Sequence, residues 1–137
     1  MISARNQFQG TITEVKEGAV NGIVKLNIGG GNHISATISM DSIKELGLAA
    51  GKEATAIVKA TEVMMANGKL NISARNQLTG TVSAIEESAV NAIVKLDVAE
   101  GVTISSTISM EAVKELGLAV GKEATAIIKA TSVMIGA

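Results

Sequence analysis

Apolar and polar residues alternate along most of this chain. In Asn32-His33-Ile34-Ser35-Ala36-Thr37-Ile38-Ser39-Met40 the alternation is strict, as in a half-buried β-strand. Val24, Leu26 and Ile28 line one face of the preceding segment and Lys25 and Asn27 the other. Gly29-Gly30-Gly31-Asn32 between them reads as a hairpin turn. Further strands are expected over 6–16, 53–59 and 61–65, with Glu17-Gly18-Ala19-Val20-Asn21 turning the first into the second. One segment breaks the alternation. Ile43 and Leu46 share a helical spacing, Asp41 falls in the first turn, Gly47 stands at the stop and Ser39 is the expected N-cap. The pattern predicts a helix of one to two turns between the third and fourth strands.

The whole pattern then occurs again. Ile2-Ser3-Ala4-Arg5-Asn6-Gln7 returns as Ile72-Ser73-Ala74-Arg75-Asn76-Gln77, and the match holds without a gap to the end of the chain. Two copies of so long a period do not make a solenoid, which stacks three or more shorter units. The chain therefore reads as a duplicated small domain, residues 1–66 and 71–137 joined by a short linker at 67–70. Five strands with one short helix after the third is the order of an OB-type barrel. The expected fold is all-β: two tandem OB-like five-stranded antiparallel barrels, each with one short helix. Domains this small bury modest cores, and with no proline to blunt exposed strand edges, association with other chains is expected.

Composition narrows the function. Cysteine is absent and His33 is the lone histidine, so no zinc or thiolate centre can be assembled. His33 lies beside the glycine turn and is Thr103 in the second copy, which suits a solvated residue better than a catalyst. The carboxylates kept in both copies fall at turns or on the helix surface, with no pair marked for acid–base work, so an enzyme is not expected. One phenylalanine, no tyrosine or tryptophan and a net charge of −1 oppose a nucleic-acid surface, which joins a basic groove to stacking rings. No apolar run approaches the roughly 20 residues of a membrane span. A cytoplasmic protein without membrane or nucleic-acid partners is the expectation.

Conserved between copies are instead hydrogen-bond donors and cations. Ser3-Ala4-Arg5 and Ser73-Ala74-Arg75 supply hydroxyls and guanidinium forks suited to an oxyanion. Lys59-Ala60 and Lys129-Ala130 add an ammonium beside a small residue, and Ser39, Ser42 and Ser109 stand at the helix starts. Together they describe an anion site. Two plainer readings stay open: Arg5 bridging to Glu17 or Glu53, and Lys59 as a solvated strand residue.

Ile-Ser-Ala-Arg-Asn-Gln followed by Gly-Thr, then Glu-Gly-Ala-Val-Asn, the short helix and Ile-Val-Lys-Ala-Thr-Glu-Val-Met resembles the molbindin (Mop-domain) family. The duplication resembles the tandem di-Mop type across essentially the whole chain. The resemblance implies reversible binding and storage of molybdate and tungstate at interfaces between domains and subunits of a homo-oligomer, a trimer for two-domain members, with no catalytic cofactor. It places Ser3, Ala4, Arg5, Ser39, Ser42, Lys59 and Ala60, with Ser73, Ala74, Arg75, Ser109, Lys129 and Ala130, around interdomain oxyanions. It adds a threefold-axis site at Ala19, Val20 and Asn21, and at Ala89, Val90 and Asn91. Two departures separate the copies: Ser42 becomes Ala112 and Gly18 becomes Ser88. The rival from another class is a non-catalytic OB-like assembly module without a dedicated ligand.

Overall fold

The computed structural model describes residues 6–74 and 76–137. The first repeat contributes β1 (Asn6–Lys16), β2 (Asn21–Gly29), β3 (Asn32–Ser39), α1 (Met40–Leu46), β4 (Glu53–Val58) and β5 (Met64–Ala66). The second contributes β6 (Asn76–Glu87), β7 (Asn91–Ala99), β8 (Val102–Ser109), α2 (Met110–Leu116), β9 (Glu123–Ile128) and β10 (Met134–Gly136). The architecture is OB-like and nearly all-β, with two curled five-stranded antiparallel sheets and one short helix for each.

The long first strand makes the curl possible. β1 pairs with β4 over Asn6 to Thr11 and with β2 over Thr11 to Lys16, with a bulge between Ile12 and Glu14. A bulge sharpens the local twist and lets one strand serve two partners. Gly10 stands at this corner because a Cβ there would collide with the carbonyl oxygen of Asn27, and Gly80 meets Asp97 in the same way. Both helices begin and end where the capping residues demand. Ser39 and Ser109 accept the backbone N–H of residues 42 and 112, and Gly47 and Gly117 close the helices in the left-handed conformation.

One expected strand is corrected. Residues 60–62 form a single 3₁₀ turn, with the Glu62 N–H on the Lys59 carbonyl at 2.9 Å, and the strand starts only at Met64. Ala60 and Val63, three positions apart, both face inward across that turn, which a continuous strand would place on opposite faces.

The turn redirects the chain out of its own sheet. β5 pairs with β9, and β10 pairs with β4, so the sheets run β10-β4-β1-β2-β3 and β5-β9-β6-β7-β8. Each sheet thus takes its last strand from the other repeat. Val63 and Val133 carry this exchange into the common core, 1% and 2% exposed. The Ser106 hydroxyl donates to the Val63 carbonyl at 2.6 Å inside that core. Across the same seam Asn6 donates to the Ser105 carbonyl at 2.8 Å and accepts the Ser105 N–H at 2.7 Å. Asn76 does the same to Ser35, at 2.8 Å for both bonds.

Deleting residues 133–137 should therefore damage the sheet of the other repeat. The lost burial of Val133 and Ile135 is expected to lower stability by about 2–4 kcal/mol in urea titration. Hydrogen exchange should accelerate in β4 rather than in β9. Faster exchange confined to β9 would contradict the strand exchange.

Candidate functional site

Lys59 and Lys129 occupy equivalent corners, each exposed at the end of its strand and preceding a 3₁₀ turn whose first residue, Ala60 or Ala130, is buried. Buried alanine holds the turn against the core while the lysine points outward. Beside the second corner lies a cavity of about 370 Å³ whose lining includes Ser73, Ala74, Lys129 and Ala130. The first repeat supplies its opposite wall through Thr37 of β3 and Met64 of β5. Ile72 and Thr131 complete it. The hydroxyls of Thr37, Ser73 and Thr131 and the Lys129 ammonium share this hollow with apolar Ile72 and Met64, and among the described residues no acidic one lines it, a donor set that suits an anion.

Ser3, Ala4, Arg5 and Arg75 fall outside the described residues, so the guanidinium groups expected at these pockets, and the rival bridge from Arg5 to Glu17 or Glu53, do too. The cavity brings together Ser73, Ala74, Lys129 and Ala130 but not the helix-start serines. Ser39 is exposed, and its hydroxyl accepts the Ser42 N–H at 3.1 Å and donates to the Ser42 hydroxyl at 3.0 Å. In the second copy Ser109 accepts the Ala112 N–H at 3.0 Å, and the second hydroxyl is gone.

The threefold-axis candidates form a separate corner. Ala19, Val20 and Asn21, like Ala89, Val90 and Asn91, lie on exposed turns, with Val20 74% and Val90 72% exposed. Their carbonyls tie them to the helix starts: Val20 accepts from Met40 N–H and Val90 from Met110 N–H, both at 2.8 Å. Asn21 sits opposite Ser39 in the sheet and Asn91 opposite Ser109. The Gly18-to-Ser88 change alters this turn. A Cβ at Gly18 would strike the Asn21 carbonyl oxygen, whereas Ser88 gives that position's counterpart both its N–H and its hydroxyl, at 2.9 and 2.7 Å. A second cavity near this turn is lined by Glu86 and Glu87, whose charge opposes an anion there.

His33 is exposed in the β2–β3 hairpin, and the glycines beside it, Gly29, Gly30 and Gly31, all have positive φ, as a tight turn requires. A Cβ at Gly30 would collide with Ala99, so the glycine also admits the other repeat's hairpin tip. Among the described residues no group of histidine, cysteine or carboxylate could hold a metal ion.

Sequence reasoning missed three groups: Thr37 and Met64, which reach the cavity from the other repeat, and the asparagines that join the repeats. Asn6 and Asn76 carried a legible signal. Each shares its strand's inward register with the core residues that follow, Phe8 and Leu78, and a polar residue buried there needs bonding partners.

Comparisons with known proteins bear on the family and the fold. A TOBE-domain model matches the chain twice, at residues 2–65 and 72–135. The chain is 38% identical over 135 residues to "Molybdenum transport protein ModE" of Herbaspirillum seropedicae, covering 97% of this chain and 50% of that protein. It is 64% identical over 67 residues to a probable molybdenum-pterin-binding protein of Haemophilus influenzae, covering 49% of this chain and 97% of that one. Thus the chain spans about half the length of the ModE relatives it matches. A crystal structure of the cytoplasmic molybdate-binding protein ModG, with molybdate bound, superposes with a TM-score of 0.95. It is 49% identical, with 98% of this chain and 97% of that chain covered.

Because the helix-start hydroxyls cap their own helices, Ser39→Ala should cost about 1 kcal/mol of stability in denaturant titration. Ser109→Ala should cost the same. A change below about 0.3 kcal/mol would mean that the caps contribute little.

Proposed function

Since the chain belongs to the TOBE-domain family as a tandem di-Mop molbindin, we propose that it binds molybdate, and tungstate with it, reversibly and without catalysis. The observation that carries the reading is the meeting of Ser73 and Ala74 with Lys129 and Ala130 around one cavity at the seam between repeats. The ModG structure with molybdate bound supports the choice of ligand. In this reading Arg75 and Lys129 serve one class of interdomain pocket, and Arg5 and Lys59 the other. Ser39, Ser42 and Ser109 approach from neighbouring domains of a homo-oligomer, a trimer, and the turns around Val20 and Val90 meet at its threefold axis. Apolar side chains as exposed as these two valines suit burial between subunits. The biological role is a cytoplasmic oxyanion store.

The chemistry needs no bond to the metal. A tetrahedral dianion is costly to bury unless donors and cations surround it. One arginine and one lysine balance its charge, while hydroxyls and backbone N–H groups direct its oxygens. A pocket shared between domains also links binding to assembly, because a ligand that binds only the assembled state stabilises that state.

Calorimetric titration with molybdate, tungstate and sulfate tests the reading. Saturable binding of the first two, several per trimer, is the expected result, and absence of binding at micromolar concentration leaves only an assembly module. Replacing Arg5 and Arg75 together by alanine, or Lys59 and Lys129 by methionine, should weaken interdomain binding at least about thirtyfold while the fold is retained. Unfolding of the arginine variant would favour a salt-bridge role.

A further inference from the structure

We propose that Asn76, and Asn6 in the mirror position, are positioning residues that set the width of the oxyanion pocket and so its preference among anions of equal charge and shape. The inference rests on the oxyanion reading above. Asn76 is 3% exposed and directly follows Arg75. Its side-chain amide bonds both backbone groups of one residue, Ser35, at 2.8 Å each. Both walls of the cavity hang from this clamp. Ala74 lies two residues before Asn76, and Thr37 lies two residues after Ser35 on the same face of β3, and both line the cavity. The amide therefore fixes how far the Ser73-Ala74 loop stands from the strand of the other repeat. Asn6 holds Ser105 by the same two bonds, and Thr107 follows Ser105 as Thr37 follows Ser35.

A paired amide clamp controls register as well as distance. Sliding β3 by one residue would break both bonds at once, leaving the buried amide and the Ser35 peptide groups without partners. A wall held this firmly cannot close on a smaller guest. Molybdate and sulfate share charge and tetrahedral shape, so their discrimination depends on whether donors stay at the distance the larger anion needs. With the clamp released, the loop can follow sulfate inward and loses its aim at molybdate.

The test is titration of the full chain with molybdate and, separately, sulfate, comparing wild type with Asn76→Ala and with Asn76→Gln. The ratio of molybdate to sulfate affinity at the affected sites should fall by about tenfold or more in Asn76→Ala, on the scale of one misdirected hydrogen bond. A purely structural role would lower the melting temperature and the number of competent sites but leave this ratio unchanged, and that result overturns the proposal. Asn76→Gln keeps the amide but lengthens its arm by one methylene, so it decides the matter if Asn76→Ala does not fold. Its ratio should fall likewise, and an unchanged ratio overturns the proposal. Wild-type protein that binds neither anion removes the oxyanion reading and this inference together. Wild-type protein that prefers molybdate, beside folded variants with the same preference, removes the inference alone.

Discussion

An edge strand must find a partner for its exposed N–H and C=O groups, and here each repeat finds it in the other. β4 would form an open edge of the first sheet and β9 of the second, and β10 and β5 cover them in exchange. Because the covering strands follow Val63 and Val133, which insert into the common core, edge protection and core packing are one event. Neither repeat completes its sheet with its own strands. The 3₁₀ turns and the lysine corners lie where the chain leaves one sheet for the other, and so the cavity with Lys129 borders both repeats.

The copies have diverged both inside each repeat, where the change is compensated, and where they touch. Gly22 packs so close to Ile43 that a Cβ there would lie 2.6 Å from the Ile43 δ-methyl group. In the second copy the glycine is Ala92 and the isoleucine is Val113, so the added methyl occupies the space given up by the lost one. Gly30 gives way to Ala99 at the hairpin tips. Ser106 reaches Val63 where the first repeat has Ala36 facing the same seam. Two repeats with one backbone plan are thereby held in one arrangement with unequal sides.

The proposed oxyanion site depends on the same seam. A highly charged ligand needs donors fixed before it arrives, since loose donors spend binding energy on their own ordering. Strand ends and a turn anchored by buried alanine give Lys129 a rigid base, and paired asparagine bonds stop the repeats from sliding past each other. The serines at the helix starts serve their own helices first. Ser39 offers only what remains of its hydroxyl after capping Ser42.

Elements governed by local periodicity and capping were legible in the residues alone. The alternation of β3, the helix between Ser39 and Gly47, the hairpin at Gly29 to Gly31 and the duplication itself all follow from interactions within a few positions of the chain. The residue types at the lysine corners and in the Ser-Ala-Arg-Asn segment point to the proposed anion site for the same reason: charge and hydrogen-bonding capacity belong to the side chain. Partner choice was different. That β5 leaves its own sheet, that residues 60–62 coil into a 3₁₀ turn, and that Thr37 and Met64 face Ser73 across the seam are decided by long-range pairing. The two halves offer nearly the same strand edge, so the local pattern fits either one. Only the packing of Val63 and Val133 into a shared core, with the buried amides of Asn6 and Asn76 satisfied across it, selects between them.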